Sequence, residues 1–302
     1  MAVFTPIDNE SLNGLLQSYG FKPPFSHQGI EGGAENSNFF VQTAKHSLVL
    51  TLFETLNSRE LEWYLTLYQR LFAAGFAVPQ VWACQQGRLC QQVAGKPATI
   101  MSRVNGRHLT EVKPAHAQAI GTFLGQLHRQ GPLISKRKPQ YHLAWCQKQN
   151  WAQNIPLYQQ AIQISEQFCQ LDLPSGLTHA DLFRDNALFN GKQLSGVLDW
   201  FFACHQPFIM DLAICLDDWC QGEAELEQQM LIAYQQERAL SDLELDAIPM
   251  AKVFAMLGFW LKRKTNEQLY HQGLRNMAKP SSELANKLEQ QLEILQVRRP
   301  SG

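Results

Sequence analysis

Alternating apolar and polar positions between residues 26 and 53 predict a small antiparallel sheet. Phe, Val, Leu and Ile recur in the segments 26–30, 38–43 and 47–53, and polar or glycine-rich stretches separate them. Successive side chains of a strand face opposite sides, so each segment can bury one face. A shorter amphipathic segment at 11–19 precedes them and is expected to be a helix.

The spacing of apolar residues changes at residue 57, where they recur every three or four positions. This spacing predicts a helix over 57–74, with Asn57 and Glu60 as its capping box. Two more strands are expected at 81–84 and 97–102. They would complete the sheet-rich part of the chain.

From residue 107 onward the spacing is mainly that of helices. Pro114 introduces a helix over 117–129, and 141–169 is expected to form two or three helical pieces broken at Pro156. The longest apolar run, 253–261, is far shorter than the roughly 20 residues that a membrane span requires. The pattern therefore predicts a sheet-rich part followed by a larger helical part.

Composition narrows the classes of partner. The chain has 302 residues, a formal net charge of -1 and a pI near 6.8, which give no electrostatic footprint for nucleic acid or an anionic membrane. No basic segment precedes an apolar core at the N-terminus, so a cytoplasmic protein with a small-molecule partner is expected. The seven scattered cysteines are expected to be buried thiols, without a structural metal.

Three oxygen-bearing side chains point to phosphoryl transfer. Asp181 precedes Asn186 by five positions, and Asp199 follows a short apolar hairpin over 187–198 that would fold it back toward them. In kinases an acid orients and deprotonates the attacking hydroxyl, a loop Asn binds Mg²⁺, and a second acid bridges the metals. The pattern predicts those roles for Asp181, Asn186 and Asp199 in that order, with ATP phosphates completing the Mg²⁺ shell.

The run HADLFRDN at 179–186 resembles the catalytic loop of the aminoglycoside phosphotransferase and choline kinase superfamily. The runs GVLDWFFAC at 196–204 and DLAICLDDWC at 211–220 narrow the resemblance to the bacterial homoserine kinases of that superfamily. The resemblance covers nearly the whole chain. It implies Mg-ATP-dependent phosphorylation of the L-homoserine hydroxyl in threonine biosynthesis, with His179 holding the loop geometry and Asp211 bracing the loop.

The same resemblance implies a bilobal, protein-kinase-like α+β fold. Residues 1–101 would form a nucleotide-binding lobe of antiparallel sheet plus helix, and residues 102–302 a larger, mainly helical lobe, with a hinge at 101–106. The glycine-rich turn at 29–38 would let backbone amides approach phosphates. The expected nucleotide contacts are Gly32, Gly33, Thr51, Met101, Ser102 and Val104.

Thr51 departs from the general kinase template, which has a lysine on the third strand to contact the phosphates. A hydroxyl cannot supply that charge, so the phosphate clamp stays unassigned. The homoserine kinases that the chain resembles share this departure. A catalytically silent nucleotide-binding module is the alternative that Thr51 leaves open.

Homoserine is a zwitterion, so its pocket needs a carboxylate for the ammonium and a cation for the carboxyl group. Asp217, Asp218 and the adjacent Trp219 are the candidates for the ammonium. Arg263 and Arg184 are the candidates for the carboxylate. Choline, an aminoglycoside, methylthioribose or another small alcohol remains possible as the acceptor, because function depends on the pocket.

Overall fold

The computed structural model describes residues 4–30, 36–271 and 280–298. Contacts divide the chain into two compact units: Met1–His108 with Ala187–Phe201, and Leu109–Asn186 with Phe202–Gly302. The sequence analysis predicted a boundary at residues 101–106 and grouped the hairpin over 187–198 with the helical part. In the structure, Ala187–Phe201 belongs to the first unit. Gly32 and Gly33, two of the expected nucleotide contacts, lie outside the described residues.

The first unit contains a five-stranded antiparallel sheet with the strand order β1-β2-β3-β5-β4. Its strands and helices are α1 (Asn9–Ser18), β1 (Ser26–Gly29), β2 (Asn36–Gln42), β3 (Ser47–Phe53), α2 (Ser58–Ala73), β4 (Gln91–Val93) and β5 (Lys96–Ser102). The central strand β3 buries Leu48, Leu50 and Leu52 on one face. This period of two is the pattern that predicted the strand.

Two predictions about this unit have different outcomes. The helix at 57–74 is confirmed as α2, and both reciprocal hydrogen bonds of the Asn57–Glu60 capping box are present. The strand at 81–84 is wrong, because only Val81 forms an isolated bridge, to Met101. The chain turns just after it, where Cys84 N–H donates to the carbonyl of Arg88.

The hairpin grouped with the first unit consists of β7 and β8. Its register is Ala187 opposite Val197 and Asn190 opposite Gln193, with an irregularity after Leu188. The predicted hairpin is therefore confirmed, with strands one or two residues different in extent.

The second unit is mainly helical, as expected. Its helices and strands, together with the hairpin strands, complete the chain: α3 (Pro114–Arg129), α4 (Leu143–Gln147), α5 (Pro156–Phe168), β6 (Ser175–Thr178), β7 (Ala187–Asn190), β8 (Gln193–Val197), β9 (Cys204–Pro207), α6 (Ile209–Cys215), α7 (Ala224–Glu237), α8 (Asp242–His271) and α9 (Ser282–Arg298). The pair β6 and β9 was not predicted, because each strand has only four residues.

Two glycines bring α3 and α7 unusually close. A Cβ on Gly121 would lie 2.2 Å from the carbonyl oxygen of Met230, and one on Gly125 would lie 2.8 Å from that of Tyr234. Only glycine fits at such distances without a backbone shift. Elsewhere in this unit, α9 buries Leu284, Leu288 and Leu292 at a spacing of four residues.

The remaining expectations concern membranes and cysteines. None of the described helices carries an apolar stretch long enough to cross a bilayer. Most of the cysteines are buried thiols as predicted, but Cys90 is half-buried and Cys169 is exposed.

Candidate active site

The segment that carries Asp181 is fixed by the buried carboxylate of Asp211. The two oxygens of Asp211 accept the backbone N–H groups of His179 and Ala180, each at 2.7 Å. Hydrogen bonds to a charged acceptor are worth about 1.5–3 kcal/mol each. Ala180 has a φ of +64°, a left-handed conformation that costs a non-glycine residue roughly 1–2 kcal/mol. The bonds to Asp211 offset this strain directly beside Asp181, and such strain is typical of functional sites.

A second set of hydrogen bonds closes the loop on itself. The backbone N–H of Asp181 donates to Nδ1 of the buried His179 ring at 3.2 Å. The side-chain Nδ2 of Asn186 donates to the carbonyl oxygen of Asp181 at 2.7 Å and to its Oδ2 at 3.0 Å. The structure therefore brings Asp181 and Asn186 into direct contact, as their spacing predicts.

The π-helical turn Leu216–Cys220, here called the π-turn, follows α6 and contacts the same loop. The indole N–H of Trp219 donates to the carbonyl of Leu182 at 2.9 Å, and Asp218 Oδ2 accepts the backbone N–H of Arg184 at 2.7 Å. The Arg184 Nε lies 3.5 Å from the same carboxylate. Helical turns of this kind often occur at functional sites. Trp219 is 1% exposed, so its visible role is to hold the loop.

Burial raises the pKa of Asp218, and the backbone N–H and guanidinium of Arg184 only partly oppose that effect. Its neighbour Asp217 pairs with Lys287 of α9 at 3.1 Å, and the Asp217 side chain is only 7% exposed. Arg263 contacts Glu283 and the carbonyl of Pro280, both at 3.5 Å. These acids and arginines thus have protein partners, and their contact with a substrate stays a prediction.

Asp199 lies in the first unit, just after β8. It adopts a φ of +56°, which Asp tolerates better than most residues. The following backbone N–H, of Trp200, donates to the hydroxyl of Tyr68 on α2 at 3.2 Å. Burial and the nearby Asp199 carboxylate raise the pKa of Tyr68. The Phe201 ring packs on Phe53 with ring centroids 4.8 Å apart.

The described residues assigned to the nucleotide lie on or beside the sheet. Thr51 pairs with Asn38 and Thr99 across three strands, and its hydroxyl donates to Asn38 Oδ1 at 2.7 Å. Met101 is buried on β5. The Ser102 hydroxyl accepts the indole N–H of Trp82 at 3.0 Å.

Val104 packs against Gly196 of the hairpin, where a Cβ would lie only 2.7 Å from the valine side chain. Met101 and Ser102 thus lie on β5, and Val104 follows two residues after its end. Their contact with a nucleotide remains a prediction.

Two buried residues behind the loop were not linked to it by the sequence analysis. His128 Nε2 lies 3.3 Å from Asp211 Oδ2, and His128 Nδ1 lies 2.8 Å from the Tyr234 hydroxyl. Both residues are buried. A usable signal was present: Gly121 and Gly125 allow α3 to approach another helix closely, on the helix that carries His128.

The oxygen donors of each unit suit magnesium. In the second unit, the N–H₂ group of Asn186 faces Asp181, which leaves the amide oxygen to a cation. In the first unit, Asp199 supplies a carboxylate. Mg²⁺ needs only one or two protein oxygens besides phosphates and water. No cluster of three or more His, Cys, Asp or Glu side chains in the described ranges is arranged to hold a metal.

Comparison with known proteins yields a family model and curated relatives. Residues 26–244 match the model of the phosphotransferase enzyme family. The chain is 34% identical over 280 residues to a homoserine kinase of Methylobacterium nodulans, with 87% of each chain covered. It is 32% identical over 285 residues to a homoserine kinase of Agrobacterium fabrum, again with 87% of each chain covered.

Among solved structures, the chain resembles a spectinomycin phosphotransferase in complex with ADP and spectinomycin. The TM-score is 0.72 at 15% identity, and the match covers 96% of this chain and 98% of the other. At this identity the likeness shows the fold alone. It confirms the expected kinase-like α+β fold.

Proposed function

Because the chain belongs to the phosphotransferase enzyme family, we propose that it is a homoserine kinase, which transfers the γ-phosphoryl group of ATP to the hydroxyl of L-homoserine. The observation that carries the proposal is the similarity to curated homoserine kinases over 87% of both chains. The product is O-phospho-L-homoserine, an intermediate for threonine biosynthesis. The near-neutral charge of the chain supports a small-molecule partner rather than nucleic acid or an anionic membrane. We also propose a cytoplasmic location for the enzyme.

Asp181 acts as the base of the transfer. It orients the homoserine hydroxyl and accepts its proton while the new O–P bond forms and the bond from the γ-phosphorus to ADP breaks. Its contact with Asn186 and the Asp211 bonds to the preceding residues support this role, since they fix the carboxylate before substrate binds. Positioned general bases contribute roughly 10²–10⁴ in rate.

Asn186 and Asp199 hold Mg²⁺ in this proposal. When bound, the ion neutralises charge on the phosphates of ATP. The roles follow from the kinase pattern of the sequence, and the donor chemistry of each residue supports them. His179 and Asp211 position the loop and do not contact the reacting atoms.

The loop and the π-turn offer both charges that a zwitterion requires. Arg184 and Asp218 already form an ion pair and are 28% and 14% exposed at their side chains. We assign the carboxylate of homoserine to Arg184 and its ammonium to Asp218, with Asp217, Trp219 and Arg263 as the other candidates. The nucleotide is assigned to the glycine-rich turn with Gly32 and Gly33, and to Thr51, Met101, Ser102 and Val104.

A small cavity beside Ala180 supports a compact acceptor. It has a volume of about 30 Å³, and its lining includes Tyr141, Phe202, Met210 and Phe259. A space of this size holds a few non-hydrogen atoms, such as the methylene groups of a short amino acid.

The test is a panel of alcohols in an assay that couples ADP release to a signal. The purified protein is given Mg-ATP with L-homoserine, L-serine, L-threonine, choline, ethanolamine, methylthioribose or an aminoglycoside. We expect the highest kcat/KM for L-homoserine. A higher value for another alcohol contradicts the substrate assignment, and tight Mg-ATP binding without transfer to any acceptor would indicate the silent nucleotide-binding module.

A further inference from the structure

A line of buried and partly buried hydrogen bonds extends from Asp211, which braces the loop, to the start of α8. His128 bridges Asp211 and the Tyr234 hydroxyl, at 3.3 and 2.8 Å. Arg238 Nη1 reaches the same hydroxyl at 3.2 Å and Glu244 Oε1 at 2.8 Å. We call the four residues His128, Tyr234, Arg238 and Glu244 the relay. It joins α3, α7 and α8 to the residue that holds the Asp181 loop.

The chemistry of the groups fixes the direction of every bond in the relay. Asp211 already accepts two backbone N–H groups, so it acts as a carboxylate acceptor and His128 Nε2 must carry the hydrogen. Burial lowers the pKa of His128, although its hydrogen bond to Asp211 opposes the effect, so the ring is neutral near pH 7 and its Nδ1 accepts. Burial raises the pKa of Tyr234, which therefore keeps its proton and donates it to Nδ1.

The far end of the relay follows the same logic. Arginine has no acceptor, so Arg238 donates to both Tyr234 and Glu244. Glu244 is 2% exposed, and its other oxygen accepts the backbone N–H of Ser241 at 3.1 Å. Ser241 in turn accepts the N–H of Glu244 at 3.2 Å, which makes a capping box at the start of α8. The relay thus ends at Glu244, which the capping box with Ser241 holds at the start of α8.

Packing holds the ring of His128 in one orientation. Phe208 stacks on it with centroids 4.7 Å apart and planes at 27°, and the Arg238 guanidinium lies 4.8 Å from the Phe208 ring. The close approach of α3 and α7 at Gly125 sets the distance between His128 and Tyr234. With the ring fixed, its Nε2–H is directed at Asp211.

We propose that Tyr234 and Arg238 are positioning residues for phosphoryl transfer, acting on the Asp181 loop through His128 and Asp211. They keep His128 in the tautomer that donates to Asp211, and Asp211 keeps Ala180 in its left-handed conformation and Asp181 in place. The proposal rests on the proposed kinase function of the loop, but it does not depend on which alcohol is the acceptor. The relay residues are not among those assigned to the substrate or the nucleotide.

The test compares two tyrosine-to-phenylalanine variants. Tyr234→Phe removes the relay hydroxyl and keeps the ring. Tyr158→Phe is the matched control, because Tyr158 is also buried in the second unit and its hydroxyl donates to the carbonyl of Cys146 at 3.1 Å, with no link to the relay. We expect kcat to fall about tenfold in Tyr234→Phe, as is typical when a supporting hydrogen bond of a site is lost, with the KM for Mg-ATP unchanged. Tyr158→Phe should keep its kcat.

Thermal unfolding separates positioning from general destabilisation. Each variant removes a hydroxyl that makes two hydrogen bonds, Tyr234 with His128 and Arg238 and Tyr158 with Cys146 and Gln153. Similar falls in Tm are therefore expected. If kcat is unchanged in Tyr234→Phe, or falls equally in both variants, the proposal is wrong. Activity is measured with whichever alcohol the panel selects, so failure of the homoserine assignment is seen separately in that panel.

Nitrogen-15 NMR of the histidine rings gives a readout that does not depend on turnover. We expect His128 at pH 7 as the neutral Nε2–H tautomer, with the Nδ1 resonance of the wild type displaced in Tyr234→Phe and unchanged in Tyr158→Phe. An Nδ1–H tautomer or an imidazolium in the wild type would overturn the relay.

Discussion

At the scale of single residues, the carboxylates of the site differ in what surrounds them. Asp211 is fully buried and accepts backbone N–H groups, so its charge is used to hold the chain. Asp181 is only half-buried and contacts the side chain of Asn186. This contrast supports the proposed roles, Asp181 as the base and Asp211 as the residue that positions it.

Asp181→Asn tests the assignment of the base. The substitution keeps size and an oxygen that can accept the Asn186 hydrogen bond, but it removes the group that accepts the proton. We expect kcat to fall by about 10²–10⁴ with Mg-ATP binding retained in a calorimetric titration. Asp172→Asn, an exposed carboxylate of the same unit, is the control for the change in charge. Near-normal turnover in Asp181→Asn would remove the assignment.

His128 makes stability depend on pH in a direction that can be derived. Burial lowers its pKa below the usual value of about 6.5, so the unfolded chain binds a proton before the folded chain does as the pH falls. The free energy of unfolding should therefore fall below about pH 6.5, by at most roughly 1.4 kcal/mol per pH unit for this group.

His128→Gln should show a weaker dependence, because Gln does not titrate and can still donate an N–H to Asp211. Urea unfolding of both proteins at pH 7.5 and 5.5 measures the difference. An equal loss of stability in wild type and variant would show that His128 does not contribute.

At the scale of elements, close helix packing and helix ends hold the residues around the Asp181 loop in position. The α3–α7 contact sets the relay, the π-turn holds the loop, and α9 reaches the π-turn through Lys287. Each contact joins residues far apart in sequence.

Gly121→Ala tests the close approach of α3 and α7. Its Cβ would lie 2.2 Å from a backbone oxygen, so the helices must separate, which should cost about 1–3 kcal/mol of stability. Gly14→Ala in α1 is the matched control, because no atom lies within 4 Å of its Cβ, and it should stabilise the protein by about 0.4–1 kcal/mol. Chemical denaturation measures both changes, and the same sign for the two variants would contradict the packing argument.

Lys287→Met tests the tie between α9 and the π-turn. It leaves the largely buried Asp217 carboxylate without its cation, and we expect a loss of about 1–3 kcal/mol, less than for a fully buried pair because Lys287 is 24% exposed. The double variant with Asp217→Asn should recover much of that loss. If the double variant is as unstable as the single one, the ion pair is not the cause.

Local patterns in the sequence were sufficient for α2, β3 and the hairpin, because periodicity and capping are properties of neighbouring residues. They were insufficient at 81–84, where β-rich composition is outweighed by the turn that Cys84 and Arg88 close. They also missed β6 and β9, whose four-residue pairing depends on partners about thirty positions away.

The same limit explains the outcome at the site. Asp181 and Asn186 are five residues apart, so their contact follows from the loop motif itself. His128 and Asp211 are 83 positions apart, and nothing in local spacing pairs them. Asp218 and Trp219 were singled out for their chemistry, whereas the visible contacts of both are with the loop.

At the scale of the whole molecule, the similarity to a homoserine kinase extends over 87% of the chain and therefore includes residues of both units. The first unit carries the sheet and Asp199, and the second carries Asp181, Asn186 and the relay. A phosphotransferase needs donors for the phosphates and a base for the hydroxyl, and Asp199, Asn186 and Asp181 are the residues that we propose for them.

The most direct test of the account is phosphorus-31 NMR of the purified protein with Mg-ATP and L-homoserine. We predict one new phosphomonoester resonance, coupled to the methylene protons next to the homoserine oxygen, that grows in step with ADP. The formation of ADP with only inorganic phosphate, or no turnover at all, would contradict the assignment of this chain as a homoserine kinase.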